Sequence, residues 1–110
     1  MPKTYVFDID GTLCTFTDGK YDLCEPLINH IKIVNLLHDQ GNKIILLTAR
    51  GMGSTGGDQL LAHEKWYQFT FNQLKGWGVS FDRLYFGKPQ ADIYVDDRGS
   101  DLKFFEGSTF

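Results

Sequence analysis

Two cysteines, Cys14 and Cys24, are all that the 110 residues contain. That excludes a disulfide framework, and neither cysteine has the spacing or partners of a zinc site. Both read as free thiols, and neither has the paired histidine that marks a nucleophile. Cationic residues are outnumbered, 11 Lys and Arg against 14 Asp and Glu, giving a net charge of -3. A reader of long nucleic acid carries a clustered cationic excess, so no such partner is expected. No apolar run approaches the roughly 20 residues that span a bilayer, and no membrane partner is expected either. Met1–Lys3 leads straight into an apolar stretch without room for a secretory signal core, so the expected location is cytoplasmic. Only 3 prolines interrupt the chain; no linker or repeat divides it, and residues 1–110 read as a single domain.

What is present is an alternation of short apolar runs with helical patterns. Lys3–Phe7, Lys43–Leu47, Arg83–Phe86 and Asp92–Val95 are continuous and rich in β-branched, aliphatic and aromatic residues, as buried parallel strands are. A helix opening at Glu25-Pro26 carries Leu27, Ile28, Ile31, Val34 and Leu37 at helical spacing and closes at Gly41. This βαβ order predicts an α/β fold, a three-layer Rossmann-like domain with a short parallel sheet. Residues 11–24 form a flap whose Asp18-Gly19 pair predicts a small hairpin. The second helix, about Gln59–Trp77, has two apolar faces, Leu60, Tyr67, Phe71 and Leu74 on one and Ala62, Trp66, Phe69 and Trp77 nearly opposite. One sheet cannot bury both, which points to a homo-oligomer through helix 59–77.

The chemistry gathers at strand ends. Asp8 and Asp10 follow the first strand one residue apart, so in extended backbone they face one side while Ile9 turns away. They sit past the carboxyl end of a parallel strand, where open α/β sheets hold ligands. Gly11 permits a sharp turn and Thr12 adds a hydroxyl. The last strand runs into Asp96 and Asp97. Four carboxylates at one sheet edge repel by several kcal/mol unless a cation compensates; a hard divalent ion such as Mg2+ suits oxygen ligands. The second strand ends in Thr48, Ala49 and Arg50, a hydroxyl, a free amide and a planar fork suited to phosphoryl oxygens. Lys88 lies in the link before the last strand. His30, His38 and His63 fall on helices and are assigned no chemistry.

These residues, "DIDGT" at Asp8–Thr12, "LLTAR" around Thr48, "GKP" around Lys88 and "YVDD" ending at Asp97, resemble the four ordered motifs of the haloacid dehalogenase superfamily. The resemblance implies a Mg2+-dependent phosphomonoester hydrolase. Asp8 matches the nucleophile that forms an aspartyl-phosphate, and Asp10 the general acid and base. It further implies Thr48 and Lys88 as catalytic partners and Gly11, Thr12, Thr48, Ala49, Arg50 and Lys88 as the substrate-binding set. Mg2+ falls to Asp8, Asp10, Asp96 and Asp97, with Asp101 as a further acid and the division among the last three open. The segments after Asp10 and Thr48 are too short for a cap domain, so selection of a small-molecule phosphoester, a sugar or nucleotide phosphate, rests on the flap, the glycine loop or a neighbouring subunit. A polynucleotide or nucleotide 3′-phosphatase is the alternative. So is a non-catalytic phospho-accepting module, although in a signalling receiver the acidic pair precedes the phosphoacceptor, the reverse of the order here. "GMGSTG" spells a G-x-G-x-x-G, but the next strand ends Tyr85-Phe86-Gly87 without the carboxylate that dinucleotide binding needs. A mobile substrate loop is the expectation for it.

Overall fold

The computed structural model describes residues 2–86 and 93–95, Tyr94 by its backbone alone. In chain order these are β1 (Thr4–Asp8), a 3-10 turn at Tyr21–Leu23, α1 (Ile28–Asp39), β2 (Lys43–Leu47), α2 (Gln59–Gly76), β3 (Arg83–Tyr85) and β4 (Ile93–Val95). The four strands form one sheet in the order β3-β2-β1-β4, and every pair is parallel. The result is the predicted Rossmann-like α/β architecture. Among the described residues, no helix is long and apolar enough to cross a membrane.

Register explains the core. Phe7 pairs with Leu46 on one side and Val95 on the other, and Leu46 pairs with Leu84, so these four side chains form a row across the sheet. Tyr5, Ile44 and Ile93 form a second row. Both rows pack in one cluster with Ile31, Val34 and Leu37 of α1 and Ala62 and Leu74 of α2. Burying side chains such as Phe7 and Leu46 stabilises the fold by about 1.5–3 kcal/mol each. Val6 and Ile45 point to the opposite face and are buried too, so both faces of the central strands are covered, as continuous apolar runs require.

Strand bounds match expectation within a residue, but α1 starts later than Pro26. Cys14 pairs with Pro26 and the Leu27 N–H donates to the Leu13 carbonyl, which holds the entering chain extended until Ile28. Ile28 is therefore 48% exposed and not part of the inward face. The helix closes as Gly41 predicted: the Asn42 N–H reaches the Leu37 carbonyl and that of Gly41 the His38 carbonyl, the two bonds of a Schellman ending.

The flap keeps its turn and loses its ladder. Asp18 and Gly19 have φ of 52° and 91°, the left-handed pair that a type I′ turn needs. Beyond it the chain coils into the Tyr21–Leu23 turn, and bonds between Thr15 and Glu25 pin the two ends. Pro26 has no N–H with which to extend a ladder from Cys14.

On α2 the buried residues are Ala62 from one apolar face, Leu74 from the other and Thr70 between them. Each face is largely used within the chain. Trp66 packs edge-on against Tyr21 of the flap at 4.9 Å, while Tyr67 and Phe71 meet Phe86 and Phe81. Leu60, Leu61 and Phe69 stay exposed.

Candidate active site

The carboxyl ends of β1 and β2 open into a cavity of about 770 Å³ lined by both Asp8 and Asp10, with Thr48, Ala49 and Arg50 beside them. Ile9, between the two acids, is buried in the core, so the alternation expected from an extended segment is present. The turn that follows is held by the Ile9 carbonyl, which accepts from the N–H groups of Thr12, Leu13 and Cys14, and by the Gly11 N–H donating to the Cys14 carbonyl. Gly11 and Thr12, expected to meet substrate, instead build this turn and are not among the cavity-lining residues. The Thr12 hydroxyl is buried and has no hydrogen-bond partner among the described residues. His30 of α1 donates from Nδ1 to the Thr12 carbonyl at 2.7 Å, clamping the turn from below; it carries a structural role that its helical position alone did not disclose.

Asp8 is registered with Leu47, one residue before Thr48, and Val95 with Phe7, one residue before Asp8. Thr48 continues the sheet by donating its N–H to the Tyr85 carbonyl, and its Oγ1 accepts the Arg50 N–H at 3.0 Å. That leaves the hydroxyl proton to be donated elsewhere. The Ala49 N–H makes no hydrogen bond among the described residues, and Ala49 is exposed at the cavity. A hydroxyl and an amide beside two carboxylates supply donors for the oxygens of an anion whose centre the carboxylates can attack.

Arg50 departs from expectation. Instead of offering its fork to an anion, it is fully buried and directs Nε to Asp10 Oδ2 at 2.9 Å and Nη2 to Asp10 Oδ1 at 3.0 Å. Nη1 donates to Gln73 Oε1 at 2.7 Å and Thr70 Oγ1 at 3.3 Å, and the Tyr21 ring lies 4.7 Å from the guanidinium carbon. A buried charge must be paired and hydrogen-bonded, and Asp10 is the partner that the fold brings. Burial pulls the Arg50 pKa down, but hydrogen bonding and charge from Asp10 outweigh it and hold it above its ordinary range.

Cys14 and Cys24 flank the same carboxylate, their Sγ atoms 3.5 and 3.4 Å from Asp10 Oδ1. With Asp10 they make a compact group of potential ligands, but Arg50 Nη2 already stands 3.8 and 3.7 Å from the two sulfurs and fills the place of a cation. Burial, followed by the charge of Asp10, pushes the Cys14 thiol well above its ordinary 9.0. A raised thiol pKa favours the fold below the unfolded value and loses that contribution as pH climbs toward the folded one. Unfolding free energy is therefore expected to fall as pH rises above 9.0, and urea titrations should show a shallower fall in Cys14→Ala.

A hard cation has different donors. The Asp8 carboxylate and the Asp10 main-chain carbonyl, which accepts no hydrogen bond among the described residues, are oxygen ligands of the kind that Mg2+ takes. Lys88, Asp96, Asp97 and Asp101 lie outside the described residues.

The glycine loop closes on itself, with the Thr55 N–H on the Gly51 carbonyl and the Gly57 N–H on that of Met52. Gly51 has φ +79°, its N–H donates to Tyr21 Oη, and a Cβ there would stand 2.4 Å from Trp66 Cδ1. Gly51→Ala is expected to cost about 1–3 kcal/mol, measured by urea unfolding.

No family model matches the sequence, and no curated protein matches it. Solved structures do. The chain is similar to a structural-genomics target from Vibrio cholerae, 25% identical, with a TM-score of 0.80 over 98% of this chain and 90% of that one. A conserved protein from Bacteroides thetaiotaomicron is 21% identical, with a TM-score of 0.63 over 100% of this chain and 95% of that one. A chain of the Pnkp1/Rnl/Hen1 complex is 17% identical, with a TM-score of 0.63 over 97% of this chain and 43% of that one. The last two likenesses show the fold.

Proposed function

We propose that the protein is a phosphomonoester hydrolase of the haloacid dehalogenase type. The observation that carries this reading is the shared cavity wall: Asp8, Asp10, the Thr48 hydroxyl and the Ala49 amide, drawn from two adjacent strand ends. A carboxylate oxygen of Asp8 attacks phosphorus while Thr48 and Ala49 donate to the phosphoryl oxygens, the P–O bond to the leaving group breaks, and Asp10 supplies the leaving oxygen with a proton. Water, giving its proton to Asp10, then attacks the aspartyl-phosphate, releases orthophosphate and restores Asp8. Asp8, the Asp10 carbonyl and Asp96, with Asp97 beside it, would hold Mg2+, which supplies positive charge between nucleophile and phosphate. Lys88 adds a second positive charge.

The far side of the cavity is built from Phe16, Tyr21, Met52 and Trp66. This wall of flap, glycine loop and α2 takes the place of a cap domain, and its size suits a small sugar or nucleotide phosphate. Orthophosphate release from a panel of phosphorylated metabolites, with Mg2+ and with EDTA, tests the reading. Turnover that EDTA abolishes is the expected result; no turnover across the panel would reject it in favour of a silent or phospho-accepting module.

A further inference from the structure

We propose that Arg50 is a positioning residue for Asp10, locked by Thr70 and Gln73 of α2 and by the Tyr21 ring, so that the proton-handling carboxylate is in place only when flap and helix are seated. The proposal rests on the hydrolase reading and adds Tyr21, Thr70 and Gln73, which lie outside the four motifs. All three nitrogens of the guanidinium are engaged within the protein: Nε and Nη2 by Asp10, Nη1 by Gln73 and Thr70. None is left for a substrate anion. The orientation of Gln73 is itself fixed, because its Nε2 donates to the Tyr21 carbonyl at 2.8 Å and turns Oε1 toward Arg50. Tyr21 also covers the guanidinium face and accepts the Gly51 N–H through its hydroxyl. Flap and α2 thus converge on one side chain that touches the acid, and the glycine loop bonds to the Tyr21 that covers it.

The two oxygens of Asp10 are not equivalent. Among the described residues, Oδ1 accepts from Nη2 and from both thiols, whereas Oδ2 accepts from Nε alone. Oδ2 keeps a lone pair, and the geometry assigns it as the atom that gives the proton to the leaving oxygen and takes one from water. A fork holding both oxygens fixes the carboxylate in one orientation; a lysine would supply charge without that geometry.

The test separates proton transfer from binding and from folding. Arg50→Lys and Gln73→Leu are compared with the wild type on p-nitrophenyl phosphate, whose leaving group needs little protonation, and on glycerol 2-phosphate, whose alkoxide needs it. Inhibition by inorganic phosphate is measured alongside. Both variants are expected to lose at least about tenfold more kcat/KM on the alkyl ester than on the nitrophenyl ester, with phosphate inhibition unchanged. Equal losses on the two esters, or weakened phosphate inhibition, overturn the proposal and return Arg50 to a structural or anion-binding role. Because Arg50→Lys can disturb folding, a urea-unfolding cycle of Asp10→Asn, Arg50→Gln and the double variant reads the pairing without turnover; strict additivity overturns it. Failure of the wild type on both esters would instead defeat the hydrolase reading itself, an outcome distinct from equal losses in the variants.

Discussion

Asp8→Asn is expected to abolish ester hydrolysis, with kcat down by more than about four orders of magnitude, because an amide oxygen does not form the acyl-phosphate that the two-step route requires. The same change is expected to leave stability within about 1 kcal/mol of the wild type. The Asp8 Oδ1 accepts the Ile9 N–H at 3.0 Å, and an asparagine oxygen can accept that bond unchanged. Removing a negative charge from a rim shared with Asp10 also relieves repulsion. Phosphate release and urea unfolding measured on the same preparation check both halves; full activity in the variant would refute Asp8 as nucleophile.

Asp10→Asn, one residue from Ile9 and two from Asp8, is expected to behave differently. Loss of a positioned acid and base costs about 10²–10⁴-fold in rate, and the deficit should be smaller for esters with acidic leaving groups. Here the fold suffers as well. Arg50 is fully buried and Asp10 only 17% exposed, so the variant leaves a charged guanidinium facing a neutral amide that cannot accept from both Nε and Nη2. Removing one partner of such a pair destabilises by on the order of 2–4 kcal/mol, more than an exposed ion pair is worth. Two Asp→Asn changes in one short segment should therefore separate, one silent in stability and the other costly. Equal melting behaviour of the two would show that the Arg50 pair contributes nothing to the fold.

Much of this was legible in the residues because it depends on local periodicity. The apolar runs Lys3–Phe7 and Lys43–Leu47 read as buried parallel strands, and parallel strands with alternating side chains put Asp8 and Asp10 on one cavity wall beside Thr48. Gly41 and the Asp18-Gly19 turn are local signals of the same kind. What periodicity does not carry is the destination of a long side chain. Arg50 follows a strand end, where a cation commonly meets an anion, and its capture by Asp10 depends on Thr70, Gln73 and Tyr21 arriving from elsewhere in the fold. A trace was there: Thr70 is a polar residue buried between the two aromatic faces of α2, and a buried polar group needs a partner. Likewise, the late start of α1 follows from pairing between Leu13 and Leu27, a tertiary contact that overrides the helix-opening preference of Pro26.

The most direct test is to quench the protein during turnover of a phosphate ester, reduce it with borohydride and map the peptides by mass spectrometry. Reduction of an aspartyl-phosphate yields homoserine, and the expected result is homoserine at position 8, appearing only with substrate and absent in Asp8→Asn. Steady phosphate release with residue 8 unmodified, or with the modification at another acid, would contradict it.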